Sequence, residues 1–299
     1  MTKRTALVTG ANKGIGLEIA RQLGQQDYRV WLGCRDRDRG DEAAAELEKE
    51  GIEAETLVLD VTDQTSVNMA AEALGSQIEG LNALVNNAGM HKGYAGTVSN
   101  ESVEDMRTIF DVNAFGAVRV TQAFLPLLRK ADAARVVMMS SGLGSISSTL
   151  DPTSENWDVD FAGYGASKAA LNMFVAKFAR ELMAEKIKVN AADPGLTATD
   201  LNGHMGQRTP EEGARIAVHL ATLDNFGPTG GFFHETSGNP AHPAIPGERR
   251  LNPDRQAITA ATHQTMEWTI SGCLSQSPPL PERGYSAGHL RPANATHPR

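Results

Sequence analysis

A tyrosine and a lysine four residues apart are the pair in this sequence whose types and spacing most directly suggest chemistry. Tyr164 and Lys168 stand in Tyr-Gly-Ala-Ser-Lys at the start of an apolar helical pattern, and this spacing puts both side chains on one helix face. A phenol with an ordinary pKa of about 10 is a poor acid–base catalyst at neutral pH, but a neighbouring cation favours phenolate and lowers that pKa. The pair could therefore give a proton to a carbonyl oxygen or take one from an alcohol. A lone Tyr-x-x-x-Lys pair is usually ordinary helix surface, so other residues must support this interpretation.

Polar residues also follow several short apolar runs that we predict to be strands. Ser140 and Ser141 close one run, and Asn-Asn-Ala-Gly at 86–89 closes another. Pro194 begins Pro-Gly-Leu-Thr-Ala-Thr after a third, and Asn113 lies in a helical stretch. Open α/β sheets bind ligands at the carboxyl ends of their strands, so we expect these groups to converge at one edge. Packing in the protein core does not readily explain polar residues at the ends of several strands.

The sequence Thr-Gly-Ala-Asn-Lys-Gly-Ile-Gly at 9–16 lies between the first predicted strand and an amphipathic helix. In a dinucleotide-binding loop Gly10 would allow the tight turn, Gly14 would let the backbone approach a pyrophosphate, and Gly16 would let helix and strand pack closely. The free N–H groups of the helix start would face the anion. Glycine spacing alone is a weak signal, but this placement strengthens it. The residues predicted to bind cofactor here are Gly10, Asn12, Lys13, Gly14, Ile15 and Gly16.

The tip of the second predicted strand indicates which dinucleotide is bound. NAD-binding folds place an acid there, roughly 20 residues beyond the glycines, against the ribose 2′-hydroxyl. Here Cys34 takes that position, with Arg35 beside it and Lys13 in the glycine loop. Two cations and no acid favour a 2′-phosphate, hence NADP(H). Two alternatives stay open: an alignment shifted by two residues returns an acid, Asp36, and Arg35 and Asp36 could simply be solvated loop charges.

Short apolar runs alternate with amphipathic helical patterns as far as Phe233. This alternation predicts a doubly wound, Rossmann-type α/β fold with a mostly parallel sheet of about seven strands and helices on both faces. Thr62-Asp63 and Thr209-Pro210-Glu211-Glu212 resemble helix starts. The predicted strands are 5–9, 29–33, 55–59, 83–87, 135–140, 188–192 and 230–233, and the predicted helices are 15–25, 38–50, 64–78, 101–130 (as two helices), 163–185 and 210–222.

Charge and composition exclude several classes of function. A formal net charge of −8 argues against a nucleic-acid surface, which needs clustered Lys and Arg. The two cysteines, Cys34 and Cys273, form no disulfide framework or zinc spacing, and the histidines lack metal-ligand spacing. No segment approaches the ~20 apolar residues of a membrane span. We expect a cytoplasmic protein without metal, membrane or nucleic-acid partners.

The character of the sequence changes near its C-terminal end. Residues 240–299 hold nine of the fourteen prolines and no lysine, with few apolar residues to offset the entropy of ordering. We predict a catalytic domain over 1–239 and a largely disordered, Pro-rich extension over 240–299.

Taken together, these motifs resemble the short-chain dehydrogenase/reductase family, and its carbonyl-reductase-like members most closely, over about residues 4–236. The resemblance implies that Tyr164 is the catalytic acid–base and that Lys168 binds the nicotinamide ribose and lowers the phenol pKa. It implies that Ser141 holds the substrate oxygen and that Asn113 holds a water that relays protons to Lys168. It further implies cofactor contacts from Asp60, Val61, Asn87, Ala88, Gly89, Pro194, Gly195, Thr197 and Thr199.

One departure from the family pattern lies between Ser141 and Tyr164, which stand 23 residues apart, more than in the commonest members. The extra stretch, around 150–160, includes Trp157 and is expected to cover the substrate cleft. It also leaves open whether the chain forms a homo-oligomer. His204 and Met205 lie in a segment that often forms a mobile lid in this family.

The residues and the resemblance together predict an NADP(H)-dependent oxidoreductase. It would reduce a carbonyl (an aldehyde, ketone or quinone) to an alcohol, with Tyr164 as general acid/base and a small-molecule carbonyl or alcohol as its partner. Two alternatives stay open: an NADP(H)-binding redox sensor or scaffold without turnover, and an NAD(H)-dependent alcohol dehydrogenase. Sensors of this kind usually lack the tyrosine or the lysine, and both are present here.

Overall fold

Eight strands form one sheet in the part of the chain that the structure describes. A computed structural model describes residues 3–92, 97–236 and 239–240. The strands are β1 (Arg4–Thr9), β2 (Tyr28–Cys34), β3 (Ala54–Val58), β4 (Ala83–Asn86), β5 (Arg135–Met139), β6 (Lys188–Asp193), β7 (Phe232–Thr236) and β8 (Asn239–Pro240). Their order is β3-β2-β1-β4-β5-β6-β7-β8, and only the short β8 runs antiparallel. The predicted doubly wound, mostly parallel sheet is confirmed, and β8 is an addition that the sequence did not predict.

Helices cover both faces of this sheet. They are α1 (Gly14–Gly24), α2 (Arg37–Lys49), α3 (Gln64–Gly75), α4 (Val103–Phe110), α5 (Ala117–Lys130), α6 (Ile146–Thr149), α7 (Ala162–Glu181) and α8 (Pro210–Ala221). Apolar residues of α1, α2 and α8 form one core cluster, and those of α3, α5 and α7 form another. The sheet lies between the two clusters, as the alternating sequence pattern requires.

The strands are buried on both sides because their apolar runs are continuous. In β1, Leu7 belongs to the cluster with α3, α5 and α7, whereas Ala6 and Val8 belong to the opposite cluster. All three are fully buried. Successive side chains of a strand point to opposite faces, so an uninterrupted apolar run serves both cores.

The sheet order reverses direction beside β1, which pairs with β2 on one side and β4 on the other. At such a switch point a crevice opens outside the carboxyl ends of the strands. The glycine loop after β1 and the polar residues after β4, β5 and β6 therefore share one edge.

Helix starts follow the sequence signals. Asp63 caps α3 by accepting a hydrogen bond from the Thr65 amide at 2.8 Å. Thr209 and Glu212 form a reciprocal capping box at α8, with Pro210 in the first turn. The predicted helical stretch 101–130 is divided by a π-helical turn, Asp111–Gly116, between α4 and α5.

Residues 241–299 and the predictions made for them lie outside the described residues. Among the described residues, no helix is both long and apolar enough to span a membrane. Within the same ranges, no cluster of three or more His, Cys, Asp or Glu side chains could hold a metal ion.

Candidate active site

Tyr164 and Lys168 lie in the first turns of α7, where the helix meets the carboxyl end of β5. Lys168 is buried, and its Nζ donates a hydrogen bond to the Met139 carbonyl at 2.7 Å. That Nζ lies 5.4 Å from the centroid of the Tyr164 ring. The structure therefore brings the predicted pair together at the edge of the sheet.

Burial dominates the protonation of both groups. It raises the pKa of Tyr164 above its ordinary value, and the charge of Asp193 raises it further, while the Ser141 side chain opposes the shift by hydrogen bonding. Burial lowers the pKa of Lys168 to about 8, and Asp193 opposes that shift. The pKa of Tyr164 thus moves opposite to the sequence expectation, because burial and the charge of Asp193 both raise it.

Ser141 lies in a tight turn after β5. It begins the 3₁₀ turn Gly142–Gly144, and its Oγ accepts a hydrogen bond from the Leu143 amide at 3.2 Å. A Cβ on Gly144 would lie 2.8 Å from the backbone carbon of Lys168, so only glycine lets this turn pack directly on α7. Neighbouring Ser140 is buried and donates to Asn172 of α7 at 2.6 Å.

Asn113 is buried in the π-helical turn, and its carboxamide is fully engaged with protein. Its Oδ1 accepts from the Met90 amide at 2.8 Å, and its Nδ2 donates to the Met90 carbonyl at 2.9 Å. The second amide hydrogen reaches Ser167 Oγ at 3.1 Å, and Ser167 in turn donates to the Tyr164 carbonyl at 2.7 Å. The Asn113 side chain therefore ties the segment after β4 to the start of α7.

Asp193, the last residue of β6, is a site residue that the sequence did not single out. Its Oδ1 accepts a hydrogen bond from the Gly195 amide at 3.0 Å. Burial raises its pKa, and the amides of Gly195 and Gly142 together with His234 counteract that rise. The signal available in the sequence was a carboxylate directly before a Pro-Gly turn, at the end of a strand.

The glycine loop has the backbone geometry that the sequence predicts. Gly10 and Gly14 have φ angles of +64° and +57°, and a Cβ on Gly16 would lie 2.3 Å from the Gly10 carbonyl oxygen. Lys13 precedes α1 without capping it through its side chain, so helix amides remain for an anion. Of the residues that the structure describes, a Cβ on Gly14 would meet only the Thr199 side chain, at 3.8 Å.

A groove beside this loop carries two cations. Its volume is about 350 Å³, and Lys13 and Arg39 line it together with Asn12, Ala43, Glu42, Glu46 and Asp200. Arg39 was not predicted, because it lies in the first turn of α2 and not at the strand tip. Predicted Arg35 is exposed and does not line this groove. Asp36 caps α2 by accepting from the Arg39 amide at 3.2 Å.

Asn87 joins the carboxyl ends of β1 and β4. Its Nδ2 donates to the carbonyls of Thr9 at 2.9 Å and Gly10 at 3.2 Å. Thr9 Oγ1 accepts from the amides of Asn87 and Ala88, both at 3.0 Å. A Cβ on Gly89 would lie 3.8 Å from Lys168 Nζ, so this turn also borders the Tyr-Lys pair.

Two predicted cofactor contacts, Asp60 and Val61, lie after β3. Asp60 Oδ1 accepts from the amide and hydroxyl of Thr62 at 2.9 and 2.7 Å. The Val61 carbonyl accepts from Arg119 of α5. Both residues are thus fixed at the same edge of the sheet.

The turn after β6 is held by its own hydrogen bonds. Gly195 has a φ of +66°, and the buried Thr197 hydroxyl donates to the Pro194 carbonyl at 3.0 Å. Thr197 therefore supports the turn from within, whereas Thr199 lies nearest Gly14. Asp200 follows and binds Lys13 at 2.5 Å and His204 at 2.9 Å.

The longer segment between Ser141 and Tyr164 folds back on the Ser141 turn. Ser148 and Ser154 share a hydrogen bond at 2.6 Å, and Asn156 donates to Ser148 at 3.2 Å. Asn156 Nδ2 also lies 3.2 Å from the Cβ position of Gly142. Trp157, which lies in the same segment, has 48% of its surface exposed.

A doubly wound sheet with a glycine loop after its first strand is a dinucleotide-binding fold. The family described as short chain dehydrogenase matches residues 4–210, and the chain belongs to that family of oxidoreductases, which bind a nicotinamide cofactor. Its relatives include (+)-neomenthol dehydrogenase of Arabidopsis thaliana, 33% identical over 78% of this chain and 96% of that protein. Salutaridine reductase of Papaver bracteatum is 31% identical over 78% of this chain and 94% of that protein. The NADPH-bound carbonyl reductase from chicken fatty liver superposes with a TM-score of 0.69 at 30% identity, covering 78% of this chain and 97% of that one.

Proposed function

We propose that this protein is an NADP(H)-dependent reductase that converts the carbonyl of a small, modestly hydrophobic molecule to an alcohol. The observation that carries this proposal is the placement of Tyr164 and Lys168 beside the Ser141 turn, at the edge that also holds the glycine loop. The names of the carbonyl reductase and salutaridine reductase relatives agree with a reductive role. We assign the catalytic domain to residues 1–239.

The glycine loop fits a dinucleotide for two reasons. Any side chain at position 14 would fill the open space above Gly14, where the cofactor would approach. The first amides of α1 lack a side-chain cap and can bind an anion. A bound nicotinamide supplies the hydride. The residues of the chain orient the substrate and the cofactor, and they supply the charges of the site. The residues that we propose to hold the cofactor are Gly10, Asn12, Lys13, Gly14, Ile15, Gly16, Arg35, Arg39, Asp60, Val61, Asn87, Ala88, Gly89, Tyr164, Lys168, Pro194, Gly195, Thr197 and Thr199.

Two observations favour NADP(H) over NAD(H). Lys13 and Arg39 line one groove beside the loop, and cations at that place suit a 2′-phosphate. Asp36, the acid that a shifted alignment would set against a 2′-hydroxyl, is engaged as the cap of α2 and paired with Arg39. The NADPH in the chicken carbonyl reductase agrees with this preference.

The protonation of the site suits reduction. Because the pKa of Tyr164 is raised, its phenol keeps its proton at neutral pH and is ready to donate it to a carbonyl oxygen. Ser141 would hold that oxygen beside the phenol. Lys168 would bind the nicotinamide ribose, and Asn113 would keep the segment after β4 and the start of α7 in place around it.

The experiment is a turnover assay by nicotinamide absorbance, with NADPH and NADH in parallel against aldehydes, ketones and quinones. Tyr164→Phe should lower turnover by about a hundred- to ten-thousandfold while NADPH binding persists. Tyr28→Phe, the same change on a strand away from the site, is the matched control. Tight NADPH binding without turnover of any compound would favour the sensor, and a preference for NADH would overturn the cofactor assignment.

A further inference from the structure

The carboxylate of Glu101 binds the backbone at the start of α7. Both of its oxygens accept from the Gly163 amide, Oε1 at 3.1 Å and Oε2 at 2.9 Å. Gly163 is the second residue of α7 and directly precedes Tyr164. Glu101 lies 62 residues earlier, in the segment between β4 and α4. This contact therefore joins that segment to the backbone that carries the proposed acid.

The start of α7 has no side-chain cap of its own. Phe161 occupies the N-cap position, and its side chain makes no capping hydrogen bond. The first amides of a helix lack partners within it, and the helix dipole favours a negative charge there. Glu101 thus supplies, from a distant segment, what a Ser, Thr or Asp side chain at the N-cap would supply locally.

Gly163 is what lets the carboxylate reach the amide. A Cβ at this position would clash with Glu101 Oε1 and would lie 3.0 Å from Met106 Cγ. Glycine is a poor helix former, and Gly163 is buried within the first turn of α7. The close approach of Glu101 gives a physical reason for a glycine at this place.

Glu101 is itself held between a turn and a helix start. Its amide donates to the Thr97 carbonyl at 3.2 Å, and the same carbonyl accepts from the Asn100 amide at 2.8 Å. On its other side Ser102 caps α4 by accepting from the Asp105 amide at 3.3 Å. The carboxylate therefore extends from a backbone that is fixed on both sides.

The backbone of Tyr164 is held at two neighbouring points. Glu101 binds the amide of the preceding residue, Gly163, and Ser167 Oγ donates to the Tyr164 carbonyl at 2.7 Å. Ser167 in turn accepts from Asn113 at 3.1 Å. The segments before α4 and after it thus each fasten the start of α7.

We propose that Glu101 is a positioning residue of this active site, whose carboxylate fastens the Gly163 amide and thereby fixes the Tyr164 phenol relative to the Ser141 turn. Its catalytic consequence rests on the proposed function, in which that phenol donates the proton. Glu101 acts through the backbone of α7, and the proton comes from Tyr164.

The first measurement follows the Tyr164 ring itself, by fluorine NMR of the full-length protein labelled with 3-fluorotyrosine. The Tyr164 resonance is the one that Tyr164→Phe removes. Glu101→Ala should shift and broaden this resonance, while that of Tyr28 in β2 stays in place. Glu101→Gln keeps an oxygen that can accept from the Gly163 amide, so its spectrum should stay close to that of the wild type.

Two further variants make this measurement specific. Gly163→Ala disturbs the same contact from the opposite side, because its Cβ would displace Glu101 Oε1, and it should change the Tyr164 resonance as Glu101→Ala does. Glu104→Ala is the matched control, because it removes an exposed carboxylate three residues further on, paired only with Arg107 among the ion pairs of the described residues. It should leave the Tyr164 resonance unchanged.

The second measurement is steady-state carbonyl reduction. Glu101→Ala should lower kcat by about ten- to a hundredfold, because a small displacement of the acid from the substrate oxygen has an effect of this size. The KM for NADPH should stay near the wild-type value, and Glu101→Gln should recover most of kcat.

An unchanged Tyr164 resonance, or a kcat at the wild-type level, in folded Glu101→Ala would overturn the proposal. A loss of stability alone would make Glu101 an ordinary helix cap. If the wild-type protein reduces no carbonyl, the proposed function is rejected, and the Tyr164 resonance still decides whether Glu101 fixes the position of this ring.

Discussion

Lys13 of the glycine loop and Asp200, in the segment after β6, form an ion pair with Nζ and Oδ2 2.5 Å apart. Both residues line the groove beside the glycine loop. The Lys13 ammonium lowers the pKa of Asp200, and His204 contributes to the same shift. The segment after β6 is thereby joined to the glycine loop by an exposed ion pair.

Asp200→Asn should tighten NADPH binding, because the carboxylate competes with cofactor phosphate for the Lys13 ammonium. The pair is exposed, so the expected gain is modest, about two- to fivefold in Kd. Fluorescence titration of NADPH at low salt would measure it, and raising the salt should reduce the difference. Glu104→Gln breaks another exposed ion pair, with Arg107 on α4, and should leave Kd unchanged. Weaker binding in Asp200→Asn would mean that the pair helps to build the groove.

Arg39→Gln should weaken NADPH binding and leave NADH binding almost unchanged. A charge-assisted hydrogen bond to a phosphate contributes enough that its loss should raise the KM for NADPH about tenfold. Steady-state kinetics with both cofactors would separate the two effects. Arg37→Gln removes an exposed cation at the first position of the same helix, outside the groove, and is the control. Equal losses with both cofactors would place Arg39 away from the 2′-phosphate.

The sequence predicted the parts of the site that depend on local spacing. The glycine loop and the Tyr164–Lys168 pair each lie within one turn or one helix, where neighbours in sequence are neighbours in space. The strand ends were predictable for a related reason, because continuous apolar runs mark buried strands and parallel strands end at one edge.

The parts that depend on tertiary contacts were not predicted. Asp193 lies in register with His234 and accepts a hydrogen bond from the Gly195 amide, and its register does not follow from residue spacing. The direction of the pKa shift of Tyr164 depends on how deeply the fold buries the phenol. The sequence also placed one cation, Arg35, at the strand tip, whereas the structure puts Arg39, from the first turn of α2, into the groove.

Lys168→Met should stabilise the protein at neutral pH while abolishing turnover. Burial lowers the pKa of Lys168 from 10.5 to about 8, so the folded state binds this proton less tightly than the unfolded state does. Wild-type stability should therefore rise with pH between about 8 and 10.5. The advantage of the variant should be largest below pH 8, on the order of 3 kcal/mol, and should disappear as pH approaches the unfolded pKa.

Urea unfolding of both proteins over this pH window would measure the difference. Lys177→Met replaces an exposed lysine of the same helix and should show no such pH-dependent gain. A variant less stable than wild type at neutral pH would show that the bond from Lys168 to the Met139 carbonyl outweighs the burial of its charge.

Gly144→Ala should disable the site while leaving the fold intact. Its Cβ would lie 2.8 Å from the backbone carbon of Lys168 and 2.9 Å from the Ala169 amide nitrogen, so the turn that carries Ser141 must move away from α7. Turnover should fall by about a hundredfold or more, because a displacement of ~1 Å between reacting groups has that effect. NADPH binding through the glycine loop should persist. Gly75→Ala in α3, where a Cβ makes only ordinary contacts at 3.7 and 3.9 Å with Leu127, should leave both measurements near wild type. Full turnover in Gly144→Ala would show that the Ser141 turn need not pack against Lys168 for catalysis.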